Sequence, residues 1–497
     1  MSHATPVGSL ARRWTVIIFL LAAQRLSAQA TQPASVRDAD RRSVPASQPA
    51  PAATDRPRPD ERGYFVLPPA YGTRVENEPP RYVRTLGRTG IPALAELDWL
   101  DFGADHRTRF EFRDDDYRRP EAVRDTPFQL RSRGYLGVHD LLDPFRFGFE
   151  FTDARWFNSG FPADNNEANE NEILQLFGEL FFKDAVGPDR PLRLQAGRFS
   201  FDFIDRRLIN RNNWRNTTNS FDGFRAFLGR QANDWELDVF ALQPVERRIH
   251  RPDRANEEEW FYGLAWHWRR WSRIITLQPY YLVRDQDHKD PARADREIHT
   301  FGLHGYGYVG QTGLDYDFDV AWQCGKDGRR EQRALAAAAE AGYTLEHEWK
   351  PRVSANISYA SGDRDPADGV NERFDRLYGF SRPLSTSRYV IWENLIAPKV
   401  RMEFHPHPQV IAEVAYGAYW LAEDSDSWAS ARRRDPNGES GECIGQEIDT
   451  RLAWTPDPRV TVTVGYAHFM PGSFTRRTGP ADDSDFFYVE TVLQLFK

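Results

Sequence analysis

Residues 314–323 read LDYDFDVAWQ, with Asp315, Asp317 and Asp319 at every second position. Alternate residues of a strand share a face, so this spacing sets three carboxylates in a row against Leu314, Tyr316, Phe318, Val320 and Trp322 on the other side. Arginines recur with the same period at Arg107 and Arg109 and at Arg131 and Arg133. They also stand on the polar faces of other alternating runs, at Arg146 (with Glu150), Arg193, Arg225, Arg401 and Arg451. Guanidinium stays charged and grips carboxylate through two parallel hydrogen bonds, so such rows suit the binding and sorting of charged solutes. The early strands would form a basic wall and the strand at 314–323 an acidic wall facing it, giving a transverse field. The structural alternative is that the arginines pair with Glu111, Glu150, Glu179 and Asp222 and only stabilise a polar interior.

Other chemistry is weakly marked. No histidine stands in a recognisable motif with a serine or aspartate nucleophile. Asp363, Asp365 and Asp368 could offer oxygens to Ca²⁺, but their spacing misses the EF-hand pattern and a solvated turn explains them better. His405-Pro-His407 reads as a proline turn, and no metal or cofactor is expected. Cys324 and Cys443 fall in predicted extracellular loops, where one bridge is permitted.

The elements that must carry these rows follow from the same period. Phe102, Ala104, Phe110 and Phe112 oppose Asp105, Arg107, Arg109 and Glu111, and Trp260, Tyr262, Leu264, Trp266 and Trp268 share one face. Similar runs give roughly eighteen strands, an even number as single-chain bacterial barrels have. The connections alternate long and short along the chain, as expected of extracellular loops and periplasmic turns. Ala334 to Ala341 is expected to form a helical turn or two within a long loop. The predicted fold is all-β, a transmembrane antiparallel β-barrel whose apolar faces meet lipid and whose charges line a lumen.

Composition agrees. Apolar residues make up only 40% while aromatics reach 13%, which suits rings at an interface around a polar interior. The net charge of -8 leaves no basic footprint for nucleic acid. Arg12 and Arg13, an apolar run from Trp14 to Ala23 and small residues to Ala30 read as a signal peptide over 1–30. A Pro/Ala-rich disordered leader and periplasmic segment is expected over 31–97, and the barrel over 98–497. The alternative is a secreted soluble β-rich glycosidase or lyase that uses its aromatics to stack sugars.

Two stretches resemble a known family. Gly197-Arg-Phe-Ser-Phe-Asp-Phe-Ile-Asp-Arg-Arg-Leu208, followed by Asn213-Trp-Arg-Asn-Thr-Thr-Asn-Ser-Phe-Asp-Gly-Phe-Arg225, is similar to the hallmark of alginate-export outer-membrane porins, with Ile204 where the family has glycine. Ser361 to Gly369 and Phe374 to Tyr378 are similar to a second family segment. The resemblance implies a barrel of about eighteen strands that passes an anionic uronate polysaccharide. Its implied partners are outer-membrane lipid, an anionic poly- or oligosaccharide and periplasmic export components. It places Arg198, Arg207 and Arg215 in a hallmark loop that narrows the lumen if it folds inward, with Asp222 and Arg225 at its far end.

Overall fold

Period-two alternation becomes eighteen long strands in the computed structural model, which describes residues 78–497 apart from 120–123 and positions 270, 273, 291, 311, 380 and 497. The expected signal peptide, and the leader as far as residue 77, lie outside the described residues. The first half of the barrel comprises β1 Leu100–Asp114, β2 Phe128–Leu142, β3 Phe145–Phe157, β4 Asn169–Phe182, β5 Leu192–Phe199, β6 Phe221–Gly229, β7 Trp235–Glu246, β8 Glu259–Trp268 and β9 Thr276–Gln286. The second comprises β10 Arg296–Tyr308, β11 Leu314–Asp327, β12 Arg330–Thr344, β13 Arg352–Ala360, β14 Leu395–His407, β15 Val410–Trp420, β16 Cys443–Asp457, β17 Val460–Pro471 and β18 Ser484–Gln494. Sequential strands pair antiparallel, and β18 returns to β1 with Thr491 opposite Thr108. Closure satisfies the backbone of every strand on both sides, which lets a sheet cross hydrocarbon without an exposed edge.

The two faces divide as the period requires. On β11, Leu314, Val320 and Trp322 are 37%, 43% and 48% exposed, whereas Asp315, Asp317 and Asp319 are 2% exposed or less. The apolar side is the outside of the barrel, so its exposure is exposure to lipid. Strand β8 carries both aromatic belts of the membrane interface: Trp260 and Tyr262 stack near its loop end, Trp266 and Trp268 near its turn end, with Leu264 between. Among the described residues no helix is long and apolar enough to cross a membrane.

Links alternate long and short, with one exception. Residues 115–127, 158–168, 200–220, 361–394 and 421–442 leave one end of the barrel, while β2–β3, β14–β15 and β16–β17 turn at the other end within two residues. The exception is β11–β12, which turns at Gly328 and Arg329 on the long-loop side. The expected helical turn over Ala334–Ala341 is therefore a strand, paired with β11 along its whole length on one side and with β13 from Ala336 onward on the other. Alanine's helix propensity is a fraction of a kcal/mol per residue, and two ladders of backbone hydrogen bonds override it. Ala334, Ala336 and Ala338 point inward and are buried in one apolar cluster with Phe374 and Trp392 from residues 361–394. Small side chains on this wall leave room for the rings. Cys324 consequently lies within β11 rather than in a loop, Cys443 opens β16, and both are free thiols, so the permitted bridge is not formed.

Val320 sits at midspan on the lipid face of β11. Val320→Arg is expected to weaken folding into lipid vesicles by about 2–4 kcal/mol, read as a lower urea midpoint. An unchanged midpoint would mean that this face does not meet hydrocarbon.

Candidate functional site

Residues 200–220 fold inward because their sequence is not that of a solvated loop. Phe201, Phe203, Ile204, Leu208 and Ile209 bury themselves against inward-facing Phe240, Leu242, Phe261, Tyr280 and Leu282 of β7 to β9. Phe203 meets Phe240 and Tyr280 edge-on, at 5.6 Å and 6.1 Å between ring centres. The loop backbone, drawn away from any sheet, then needs donors for its carbonyls. Arg107 supplies them: Nη1 donates to the carbonyls of Asn213 (2.9 Å) and Trp214 (3.1 Å), and Nη2 to that of Arg215 (3.0 Å). Arg131 donates to the Asn213 carbonyl at 3.1 Å, Arg109 to that of Trp214 at 2.6 Å, and Arg133 to the Asn213 side chain at 2.9 Å. The Trp214 ring is held between two guanidiniums, Arg109 at 3.7 Å and Arg382 at 3.3 Å from its centre.

The early-strand arginines thus face the lumen but are not an open wall; they clamp a loop. The acidic row is likewise matched. Asp315 accepts two bonds from Arg352 of β13, Asp317 accepts from Arg207 and His304 at 2.9 Å each, and Asp319 from the Tyr280 hydroxyl at 2.8 Å. Among the described residues the one grouping with the spacing of a metal site is Asp205, His304 and Asp317, and Arg207 already pairs with both of its carboxylates. Asp363, Asp365 and Asp368 do not converge: Asp363 binds Arg330, while Asp365 and Asp368 accept backbone N–H groups two residues on.

Pairing accounts for most other residues singled out above. Glu150 is bound by Arg211, Tyr82 and Gln175; Asp222 by Arg198. Arg146 contacts Asp140 and Glu179, Arg401 meets Glu340 at 3.2 Å, and Arg451 grips Glu413 through two bonds. Arg193 and Arg225 stand at the turn end of the lumen, near Glu78.

A second inward loop completes the constriction. Residues 361–394 meet residues 200–220 backbone to backbone: the Tyr378 N–H donates to the Leu208 carbonyl (2.9 Å), and the Asn210 N–H to that of Tyr378 (3.2 Å). Tyr378 wedges between Phe221 and Phe261. A cavity lies on either side of this junction. Toward the turn end is a vestibule of about 1820 Å³ lined partly by Asp202 and Ile204, and toward the loop end a chamber of about 540 Å³.

The chamber holds Arg215, Arg247 and Arg388, which alternation could not reveal because loops have no period. Arg215 and Arg247 donate to Asn166 and Asn219, and no carboxylate of the described residues lies within ion-pairing distance of any of the three. Burial, then the neighbouring guanidiniums of Arg247, Arg376 and Arg388, push the Arg215 pKa below its ordinary value; burial, then Arg118 and Arg113, do the same to Arg388. Guanidinium nonetheless stays protonated at neutral pH. Asp164 and Glu167 also lie on the chamber lining, where guanidiniums outnumber these carboxylates.

Arg107→Gln removes the fan of donors to the loop, each charge-assisted bond contributing about 1.5–3 kcal/mol. Single-channel recording is expected to show larger conductance with flicker; wild-type traces would mean the apolar cluster alone holds the loop. Arg207→Met strands two buried carboxylates and is expected to cost about 3–5 kcal/mol, read by urea unfolding. Wild-type stability in that variant would mean that the network is not maintained by Arg207.

Known structures of the same shape are outer-membrane channels. The chain is similar to OccK8 (OprE) of Pseudomonas aeruginosa, with TM-score 0.55 and 13% identity over 80% of this chain and 98% of that one. It is similar to OccK11 (OpdR) of the same organism, with TM-score 0.52 and 12% identity over 80% and 96%. OpdK of Pseudomonas aeruginosa, solved with vanillate, gives 0.54 and 13% over 79% and 98%. At these identities the likeness is one of fold. No curated protein matches the chain. The family model described as alginate export matches residues 98–489, the whole barrel but its last few residues. With an eighteen-strand closed sheet, a lipid-facing apolar band and two loops folded into a charged lumen, the chain belongs to the alginate export family of outer-membrane β-barrel porins.

Proposed function

We propose that this porin conducts carboxylate-bearing anions, with short uronate oligosaccharides or small organic acids as its cargo. The observation that carries the reading is the chamber at the extracellular end, where Arg215, Arg247 and Arg388 have no carboxylate partner among the described residues. Many lumen arginines elsewhere are paired with Asp or Glu at close range, and Arg131 is spent on loop carbonyls, so an anion entering from outside gains most in this chamber. Its volume of about 540 Å³ fits one or a few sugar rings rather than an extended polymer, and the junction at Leu208, Asn210 and Tyr378 lies directly below it. Passage of a polyuronate chain requires that junction to part. OpdK was solved with vanillate, a small aromatic carboxylate in keeping with this size class.

Reversal potentials across a planar bilayer in a salt gradient test the proposal. The wild-type channel is expected to prefer anions, and replacing Arg215, Arg247 and Arg388 together with Gln is expected to abolish the preference and weaken block by galacturonate. Equal selectivity in wild type and the triple variant would sink it.

A further inference from the structure

The turn end of the lumen holds a second pair of arginines, and the chain's own N-terminal segment reaches in to meet them. Arg225 on β6 fixes Nε and Nη2 on Asp238 of β7, at 3.1 Å and 2.8 Å. Its remaining nitrogen, Nη1, donates to Glu78 Oε1 at 2.8 Å. Arg193 on β5 stands 3.9 Å from the other oxygen of the same carboxylate and 3.8 Å from Glu179. Both guanidiniums are braced on the Phe227 ring, at 3.9 Å for Arg193 and 4.1 Å for Arg225, and Arg225 also lies 4.0 Å from Phe201. The cations are held rigidly by the wall, but the carboxylate they share arrives from outside it.

The wall is shaped to receive that segment. Val83–Thr85 adds as a short strand beside β1, with Val83 opposite Gly103. A Cβ at position 103 would lie 2.5 Å from the Tyr82 carbonyl oxygen and 2.7 Å from the Val83 Cα, so only glycine admits the approach. Tyr82 is 2% exposed, donates to Glu150 at 2.6 Å and lies beneath the Arg133 guanidinium. Glu78 itself is 35% exposed and borders the large vestibule together with Arg193 and Arg225. The anchor at Tyr82 is fixed, whereas the carboxylate four residues before it is open to solutes.

We propose that Arg193 and Arg225 form a carboxylate subsite at the periplasmic mouth, and that Glu78 fills it as a tethered surrogate which a carboxylate-bearing solute displaces in transit. The inference rests on the anion-conducting reading above. Exchanging one carboxylate for another never leaves the guanidiniums without a counter-charge, so displacement avoids the large cost of stripping a buried cation. Glu78, held by its short tether, competes at an effective concentration of about the millimolar range, which sets a threshold that dilute or neutral solutes do not cross.

The test uses the full chain in planar bilayers, with D-galacturonate or neutral D-galactose added on the periplasmic side. Glu78→Gln vacates the subsite, and the concentration of galacturonate that halves the current is expected to fall by about tenfold, with galactose inert in both forms. Gly103→Leu, which drives the segment off β1 by backbone collision, is expected to give the same gain by a different route. Gel mobility before and after heating verifies that each variant is a folded barrel. Equal half-blocking concentrations in folded wild type and both variants would overturn the subsite while leaving anion conduction intact. A wild-type channel without anion preference would instead overturn the reading on which the subsite rests.

Discussion

Everything inside this barrel is arranged around a loop backbone that has left its sheet. A chain segment drawn into a lumen brings carbonyl oxygens with it, and those oxygens must be met by donors or lose several kcal/mol each. Arg107 meets the carbonyls of Asn213, Trp214 and Arg215 through one planar group, which a lysine's point charge could not do with the same geometry. Arg109, Arg131 and Arg133 complete the grip. Once residues 200–220 are fixed, Arg207 is carried across to Asp317, Tyr378 gains a backbone partner, and a cavity is left on either side of the junction.

Much of the charge among the described lumen residues is neutralised locally. Buried ions are tolerated when each finds its opposite at hydrogen-bond distance, and Asp315 with Arg352, Glu413 with Arg451 and Glu150 with Arg211 all do so. The transverse field expected from strand position alone is therefore cancelled close to its sources. In the chamber of Arg215, Arg247 and Arg388 guanidiniums outnumber carboxylates, and Arg215 and Arg247 donate to the side-chain amides of Asn166 and Asn219. Under the proposed anion conduction, selectivity belongs to the loops, and the wall supplies the frame that holds them.

This division also explains what could be read from sequence. Strand faces were legible because lipid on one side and lumen on the other enforce a period of two, and the faces of β11 and β8 come out as that period requires. The hallmark stretch pointed to the loop that folds inward, and its arginines to charged contacts. The strand Arg330–Thr344 was not legible, because a run of alanines satisfies helix propensity while its true environment is a wall that must stay thin beneath Phe374 and Trp392. Arg247, Arg388 and Glu78 were invisible for a different reason: they lie outside the strands, and only the folded chain brings them to the lumen.

The clamp also crosses the seam where the barrel closes. Arg109 of β1 donates to the Trp214 carbonyl and, through Nε and Nη2, to Glu490 of β18, the strand whose pairing with β1 closes the barrel. Arg109 also meets Glu111 of its own strand at 3.3 Å, so its counter-ions come from both sides of the seam. The docked loop and the closed seam therefore share one joint: a single guanidinium ties the first strand to the last and to the Trp214 carbonyl, so the barrel is fastened at its closure from within as well as by its backbone ladder.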